Sequence, residues 1–306
     1  MSETTGHLIE KINRLKKERR ALILSHNYQV GEIQDVADFT GDSLELSQIA
    51  TRTDAKVILF CGVHFMAETA ALLNPDKLVL IPDLTAGCSM SDMITVEKVR
   101  ELKARHPDAV VVCYVNTSAA VKAESDICCT SSNAAKVVLS IPPDREIIFI
   151  PDQYLGSYLS RQTGRKLILY DGYCPVHYRI MAADLEEVKG QHPDAEVVVH
   201  PECTPEVIAQ ADQVLSTSGI SRAVRQSRAE EIIVGTEIGI LHRLKKENPQ
   251  KKIFAACQWC DCAHMKVNTL EKVLWSLEDM QHVVEVPEEI YVKARSAVER
   301  MMTLSA

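Results

Sequence analysis

The sequence predicts an α/β fold made of three homologous αβα units, Rossmann-like in their layering, each with a parallel sheet. Short apolar runs alternate with helix-like runs along the chain, as they do in parallel βαβ proteins. Several motifs also recur three times at intervals of 86 to 88 residues, which indicates a tripled structural unit. We place the units at residues 1–107 with an N-terminal helix, 108–193, and 194–306 with C-terminal helices.

Composition narrows the functional class. The 306 residues carry 34 Lys and Arg against 42 Asp and Glu, a net charge of −8, which argues against a broad nucleic-acid surface. The charged, helix-like N-terminus is not a secretion signal, and no apolar run reaches the roughly 20 residues of a membrane span. We therefore expect a cytoplasmic protein that binds neither nucleic acid nor membrane.

Each unit opens with an apolar strand that ends in polar residues. The strands begin at Ala21, Ala109 and Ala195. Ligands of open α/β sheets collect beyond the carboxyl ends of the strands, so these polar side chains should surround one shared cleft. They are His26 and Tyr28 in the first unit, Tyr114 and Asn116 in the second, and His200 and Glu202 in the third.

A hydroxyl residue precedes the next helix-like run of each unit. Ser43, Ser131 and Thr217 occupy this place, 88 and 86 residues apart. A hydroxyl beside the first backbone N–H groups of a helix forms an anion site. The same residue types also serve as plain helix caps, and the two roles can coexist. A further apolar strand follows each helix, at 56–62, 145–152 and 230–237.

One cysteine follows the last strand of each unit, and the three cysteines are almost equally spaced along the chain. Cys88 and Cys174 are 86 residues apart, and Cys174 and Cys262 are 88 apart. Each lies in a loop before a helix-like run, where a thiolate is favoured electrostatically. Three such thiolates suit iron–sulfur ligation and would leave one coordination position open for substrate.

Two other cysteines close to Cys262 are alternative candidates for the third metal ligand. Cys257, Cys260 and Cys262 form a CxxCxC run, and CxxC alone is a common zinc or redox element. A zinc knuckle would need a second ligand pair close by, and only His264 is near. We favour Cys262 because it alone fits the threefold series. Cys257 and Cys260 then form a reversible disulfide or remain unused.

The motifs together resemble the quinolinate synthase family, over nearly the whole chain from about Leu22. The segments that carry the resemblance are HNYQ (26–29), DVADFTGDSLELS (35–47), FMAE (65–68), NPDK (74–77), YVNTSA (114–119), TSSNA (130–134), CPVH (174–177), VVVHPEC (197–203), STSG (216–219), GTEIG (235–239) and HMKVNTLE (264–271).

The resemblance implies three stacked αβα domains with pseudo-three-fold symmetry around a central 4Fe–4S cluster. Cys88, Cys174 and Cys262 would hold the cluster, and its open iron would act as a Lewis acid. The implied reaction condenses iminoaspartate with dihydroxyacetone phosphate to quinolinate, phosphate and water on the route to NAD. The resemblance also implies that this protein is functionally coupled to the enzyme that produces iminoaspartate. Many members carry CxxCxxC near the third ligand, whereas this chain has CxxCxC.

The resemblance also suggests roles for the strand-end residues. It implies that His26 contacts substrate, that Tyr28 transfers protons, and that the three hydroxyl residues bind phosphate or carboxylates. His200 and Glu202 are two residues apart, so on extended chain they project to one side, as an acid–base pair would. Glu202 is our choice for the base. Tyr114 and Asn116 hold the matching place in the second unit.

Two other functions remain open from the residues alone. One is a different three-cysteine cluster enzyme, such as a reductive dehydroxylase of isoprenoid diphosphates. The other is an iron–sulfur or zinc sensor that binds a partner or DNA, although the acidic charge counts against it.

Overall fold

A computed structural model describes residues 3–305 of the protein. Helix α1 (Glu3–Glu18) precedes three four-stranded parallel sheets, each flanked by helices. The predicted α/β class with three αβα units is therefore confirmed. No helix within the described range is long and apolar enough to cross a membrane.

The first unit contains β1 (Ala21–His26), α2 (Gly31–Val36), β2 (Phe39–Gly41), α3 (Ser43–Arg52), β3 (Val57–Cys61), α4 (His64–Leu73), β4 (Leu78–Leu80), a 3-10 turn (Ser91–Met93) and α5 (Val96–Arg105). The second contains β5 (Val110–Tyr114), α6 (Ala119–Ala123), β6 (Ile127–Cys129), α7 (Ala134–Ser140), β7 (Ile147–Ile150), α8 (Gln153–Thr163), β8 (Ile168–Leu169), α9 (Pro175–Tyr178) and α10 (Ala182–Gln191). The third contains β9 (Glu196–Val199), α11 (Pro205–Ile208), β10 (Gln213–Val214), α12 (Thr217–Gln226), β11 (Glu231–Gly235), α13 (Ile240–Glu247), β12 (Lys252–Ala255), α14 (Ala263–Lys266) and α15 (Leu270–Asp279), and α16 (Glu288–Ser305) follows.

The three sheets share one strand order. Their orders are β2-β1-β3-β4, β6-β5-β7-β8 and β10-β9-β11-β12. The two central strands of each sheet are buried on both faces by flanking helices, which explains their continuous apolar runs. The sequence predicted a loop between the first strand and the Ser/Thr helix. The structure adds a short helix and an edge strand there, too short to leave a periodic pattern.

Register brings the ends of the two central strands level in every sheet. Ser25 pairs with Cys61 in the first sheet, and Val199 pairs with Gly235 in the third. The residues just beyond these pairs therefore lie side by side at the carboxyl edge. This arrangement sets His200 next to the segment that begins at Thr236, as the bond from the His200 N–H to the Gly235 carbonyl shows (2.9 Å).

The helix that follows each cysteine loop packs on the next unit. Helix α5 contacts α6 of the second unit, and α10 contacts α11 and β11 of the third. Helix α15 returns to the first unit, where it contacts α1, α2 and β3. These contacts between helices link the three units in a closed ring. Helix α16 then covers α4, α6 and β6, and so spans the first and second sheets.

Candidate active site where the three sheet edges meet

The carboxyl edges of all three sheets open onto one cavity of about 310 Å³, a volume typical of small-molecule sites. The structure brings every predicted site residue to its wall. These are His26, Tyr28, Ser43, Cys88, Tyr114, Asn116, Ser131, Cys174, His200, Glu202, Thr217 and Cys262.

The three cysteines of the threefold series are free thiols, each partly exposed and lining this cavity. Burial, with a smaller contribution from the neighbouring Cys262, raises the pKa of Cys88 to about 12. Burial likewise raises the pKa of Cys174, with Glu202 and Cys88 adding to the effect, and that of Cys262. Mutual repulsion of the thiolates would be offset by a bound cation, so this donor set fits a three-cysteine metal cluster.

The other two cysteines of the CxxCxC run are joined to each other. Cys257 and Cys260 form a disulfide, which leaves Cys262 as the free thiol of that segment. The Cys262 N–H donates to Glu237 Oε1 at 2.9 Å. Glu237 is fully buried and pairs with Lys266 Nζ at 2.8 Å. Buried charges thus hold the Cys262 loop in place.

Direct hydrogen bonds connect the three cysteine loops pairwise. Each bond joins a different pair of units, so the thiols are held toward one another before any cofactor binds. The bonds are Ser89 Oγ with His264 Nε2 (3.1 Å), Arg179 Nη2 to the Asp261 carbonyl (2.8 Å), and Tyr170 Oη to the Met93 carbonyl (2.5 Å).

Ser43 and Thr217 do not cap their helices, because the residue before each of them does. Asp42 caps α3 through the Glu45 N–H (2.9 Å), and Ser216 caps α12 through the Gly219 N–H (3.2 Å). Ser43 and Thr217 are therefore the first residues of those helices and face the cavity. In the second unit, Asn133 is at the N-cap of α7 and makes no side-chain cap bond.

A small hydrogen-bond hub joins the three hydroxyl segments. Ser132 Oγ donates to Asp42 Oδ2 at 2.6 Å and lies 2.9 Å from Ser216 Oγ. One side chain from each unit takes part. The hub therefore fixes the relative positions of the adjacent Ser43, Ser131 and Thr217.

His26 and His200 adopt the same conformation in their two units. The N–H of Tyr28 donates to His26 Nδ1 (3.2 Å), and the N–H of Glu202 donates to His200 Nδ1 (3.4 Å). A neutral ring that accepts at Nδ1 carries its proton on Nε2, so each histidine is a donor at that atom. His200 Nε2 lies 3.2 Å from Ser131 Oγ. Burial lowers the pKa of His26 to about 4 and that of His200 to about 3.

A chain of polar contacts crosses the cavity from Tyr114 to Tyr28. The Tyr114 hydroxyl donates to Glu202 Oε1, and Glu202 Oε2 lies 2.9 Å from His177 Nδ1. His177 Nε2 is 2.8 Å from Thr236 Oγ1, which is 2.6 Å from the Tyr28 hydroxyl. All three units contribute to this chain, and it could carry protons between the two phenols.

The charge state of Glu202 follows from its neighbours. Burial alone would raise its pKa, but His177, His200 and the hydrogen bonds from His177 and Tyr114 lower it to about 2. Burial and the Glu202 charge both raise the pKa of Tyr28 and of Tyr114. Near neutral pH Glu202 is therefore ionised, and the Tyr28 and Tyr114 phenols are neutral.

The lowered histidine pKa values predict acid sensitivity of the cluster-free protein. The folded state keeps His200 neutral down to about pH 3, whereas the unfolded chain protonates it below about 6.5. The unfolded state thus binds more protons, and stability falls as pH decreases from about 6.5 to about 3. We expect His200→Asn to flatten this slope by up to about 1.4 kcal/mol per pH unit in urea denaturation. Parallel curves for the two proteins would contradict the assignment.

Sequence reasoning missed several residues of this site. Thr236 and Glu237 directly follow the middle strand of the third unit, which ends at Gly235, and Ser132 and Ser216 form the hub with Asp42. The ends of the middle strands were a usable signal, because register makes them level with the opening strands. The hub left no sequence signal, because its contacts lie 84 and 90 residues apart.

Comparisons with known proteins identify the family of the chain. The family model described as "NadA: Quinolinate synthetase A protein" matches residues 10–303. The chain is 58% identical over 292 residues to "Quinolinate synthase" of Dehalococcoides mccartyi (strain CBDB1), covering 95% of this chain and 96% of the relative. It is 52% identical over 302 residues to "Quinolinate synthase" of Desulforudis audaxviator (99% and 100%), and 50% over 299 residues to that of Methanosarcina barkeri (98% and 98%). The chain therefore belongs to the quinolinate synthetase A family of enzymes.

Proposed function

We propose that this chain is a quinolinate synthase of cytoplasmic NAD biosynthesis. It condenses iminoaspartate with dihydroxyacetone phosphate to give quinolinate, phosphate and water. The observation that carries the proposal is the convergence of three thiols, three hydroxyls and an acid–base chain from three units on one cavity. The family match favours this function over the diphosphate reductase and the sensor.

Cys88, Cys174 and Cys262 are the proposed ligands of a 4Fe–4S cluster. With three protein ligands, the cluster supplies an open iron that polarises a bound carbonyl or hydroxyl group as a Lewis acid. Three free thiols on one cavity wall support this ligand set, as does the exclusion of Cys257 and Cys260 by their disulfide.

The anionic groups of the substrates require hydrogen-bond donors. Ser43 and Thr217 offer hydroxyls at the first turns of the ten-residue helices α3 and α12, where backbone N–H groups also favour an anion. Ser131 adds the third hydroxyl. His26 and His200 donate from Nε2 and stay neutral, so they bind a carboxylate or carbonyl without giving up a proton.

The proton transfers are proposed for Tyr28, Tyr114 and Glu202. Carbon–carbon bond formation needs a base at one carbon, and each dehydration needs a proton on the departing hydroxyl. Glu202, as the ionised group, accepts protons, and the phenols deliver them. The polar chain through His177 and Thr236 reconnects donor and acceptor between steps. The isolated imine hydrolyses in water, so the enzyme that forms iminoaspartate should supply it directly.

The test is an anaerobic assay of reconstituted protein. Iminoaspartate is generated in the assay from aspartate by an aspartate-oxidising enzyme, with an added organic electron acceptor in place of oxygen, and dihydroxyacetone phosphate is added. We expect quinolinate and phosphate in equal amounts. Absence of quinolinate from protein with a full complement of iron and sulfide would reject the proposal.

The Ser132 hub predicts a selective effect on substrate binding. Ser132→Ala removes the contacts to Asp42 and Ser216 and loosens the three hydroxyl segments. We expect KM to rise about 5- to 30-fold, the loss of one or two hydrogen bonds, with kcat within about threefold. Steady-state kinetics with each substrate varied separately measure this effect. The control is Ser157→Ala on α8, which makes the same substitution outside the cavity. A fall in kcat with unchanged KM would contradict the positioning role.

A further inference from the structure

Cys174, His177 and Glu202 form a compact donor set inside the cavity. One ligand atom from each residue lies within 4.8 Å of the other two. His177 and Glu202 are almost fully buried, and the Cys174 thiol is partly exposed to the cavity. Of the three, Cys174 is a proposed cluster ligand, whereas His177 and Glu202 belong to the polar chain and are not cluster ligands.

His177 presents a buried nitrogen to this set. Its Nδ1 lies 2.9 Å from Glu202 Oε2, so in the metal-free protein a proton on Nδ1 joins the two atoms. Thr236 Oγ1 lies 2.8 Å from His177 Nε2 and can either donate to that nitrogen or accept from it. When the Nδ1 proton moves to Nε2, the ring stays neutral, and Nδ1 and the carboxylate oxygen are free to bind a divalent cation between them.

We propose that cluster-free protein binds a single divalent cation of the zinc type through Cys174 Sγ, His177 Nδ1 and Glu202. Sulfur, nitrogen and oxygen donors select Zn²⁺ over Mg²⁺ or Ca²⁺, which prefer oxygen alone. The thiolate and the carboxylate balance the charge of the ion. Binding releases the thiol proton of Cys174 to solvent. The His177 contact with Thr236 is the outer hydrogen bond that commonly orients a metal-binding histidine.

This site goes beyond the proposed function, although its three residues also take part in that function as a cluster ligand, a member of the polar chain and the base. A thiolate committed to the single ion is not available as a cluster ligand, so the two metal states exclude each other. Bound zinc would also occupy Glu202, the proposed base. The zinc-loaded form is therefore an inactive state that must lose its ion before the cluster assembles.

Cobalt titration of the cluster-free protein tests the site. The background is Cys257→Ser with Cys260→Ser, so that a reduced pair cannot bind the metal. We expect one Co²⁺ per chain, with thiolate-to-cobalt charge-transfer absorption and displacement by Zn²⁺. Cys174→Ala should abolish the absorption, and His177→Ala should weaken binding at least about tenfold. Cys88→Ala and Cys262→Ala should retain the absorption and bind within about threefold.

Three results would overturn the proposal. The first is the absence of charge-transfer absorption in the background protein. The second is equal loss in the Cys88 and Cys174 variants, which would mean that the three cysteines hold the ion together. The third is normal cobalt binding by His177→Ala, which would mean that the histidine is not a ligand. These measurements use neither cluster nor substrate, so they are independent of whether the chain makes quinolinate.

Discussion

Alanine at Cys88, Cys174 or Cys262 is expected to remove the cluster and abolish quinolinate formation. Each change deletes one of three thiols that the fold brings to one cavity. A cluster held by two protein ligands loses iron readily, and without it the site has no Lewis acid. Iron and sulfide content after anaerobic reconstitution should fall to the background level, and product should be undetectable.

The matched control is Cys61→Ala, because Cys61 is a free thiol buried in β3 away from the cavity. It should keep full iron content and lose only about 1 kcal/mol of stability. Cys257→Ala and Cys260→Ala should also keep the cluster, since the disulfide pairs those thiols with each other. Iron loss in the Cys260 variant, with retention in the Cys262 variant, would show that we have chosen the wrong third ligand.

Glu202→Gln is expected to lower kcat by about a thousandfold without loss of iron. The amide keeps the shape of the side chain and can still accept from Tyr114, but it cannot take up a proton. Positioned acid–base groups contribute about 10²- to 10⁴-fold in rate. Single-turnover measurement of quinolinate formation, beside iron analysis and visible absorption, separates the chemical effect from cluster loss.

The nearby Glu206 provides the control for this change. It is an exposed carboxylate on α11, four residues along the chain, so Glu206→Gln makes the same substitution outside the cavity. Its kcat should match that of the unchanged protein. A Glu202→Gln enzyme with kcat within about threefold of normal would remove Glu202 from the proton chain and leave Tyr28 and Tyr114 as the candidates.

The repeats made the fold predictable. Buried parallel strands need continuous apolar runs, and three copies of each run appeared in step, so the sheets were visible from the chain alone. The short edge strand of each unit was not, because two or three residues that pair on one side show no periodicity. The exchange of α5, α10 and α15 between units also left no sequence signal, since an amphipathic helix does not specify which surface it covers.

The candidate site, like the fold, was only partly predictable from the sequence. Strand-end chemistry and threefold spacing named twelve of the residues that line the cavity, because parallel strands place their carboxyl ends at a common edge of the sheet. The contacts that connect these residues were not predictable from the sequence. Thr236 and Ser132 act through contacts between units, and the His177 ring lies beside Glu202 from a different unit.

The sequence by itself determined the fold class, the family and the set of reactive side chains. These depend on local patterns and on repetition, both of which can be read along one chain. The tertiary structure alone decided which thiols are free, that His177 Nδ1 lies beside the Glu202 carboxylate, and how Tyr114 connects to Tyr28. Those properties arise from side chains that are distant along the chain and adjacent in space, where hydrogen bonds and burial set protonation and ligand availability.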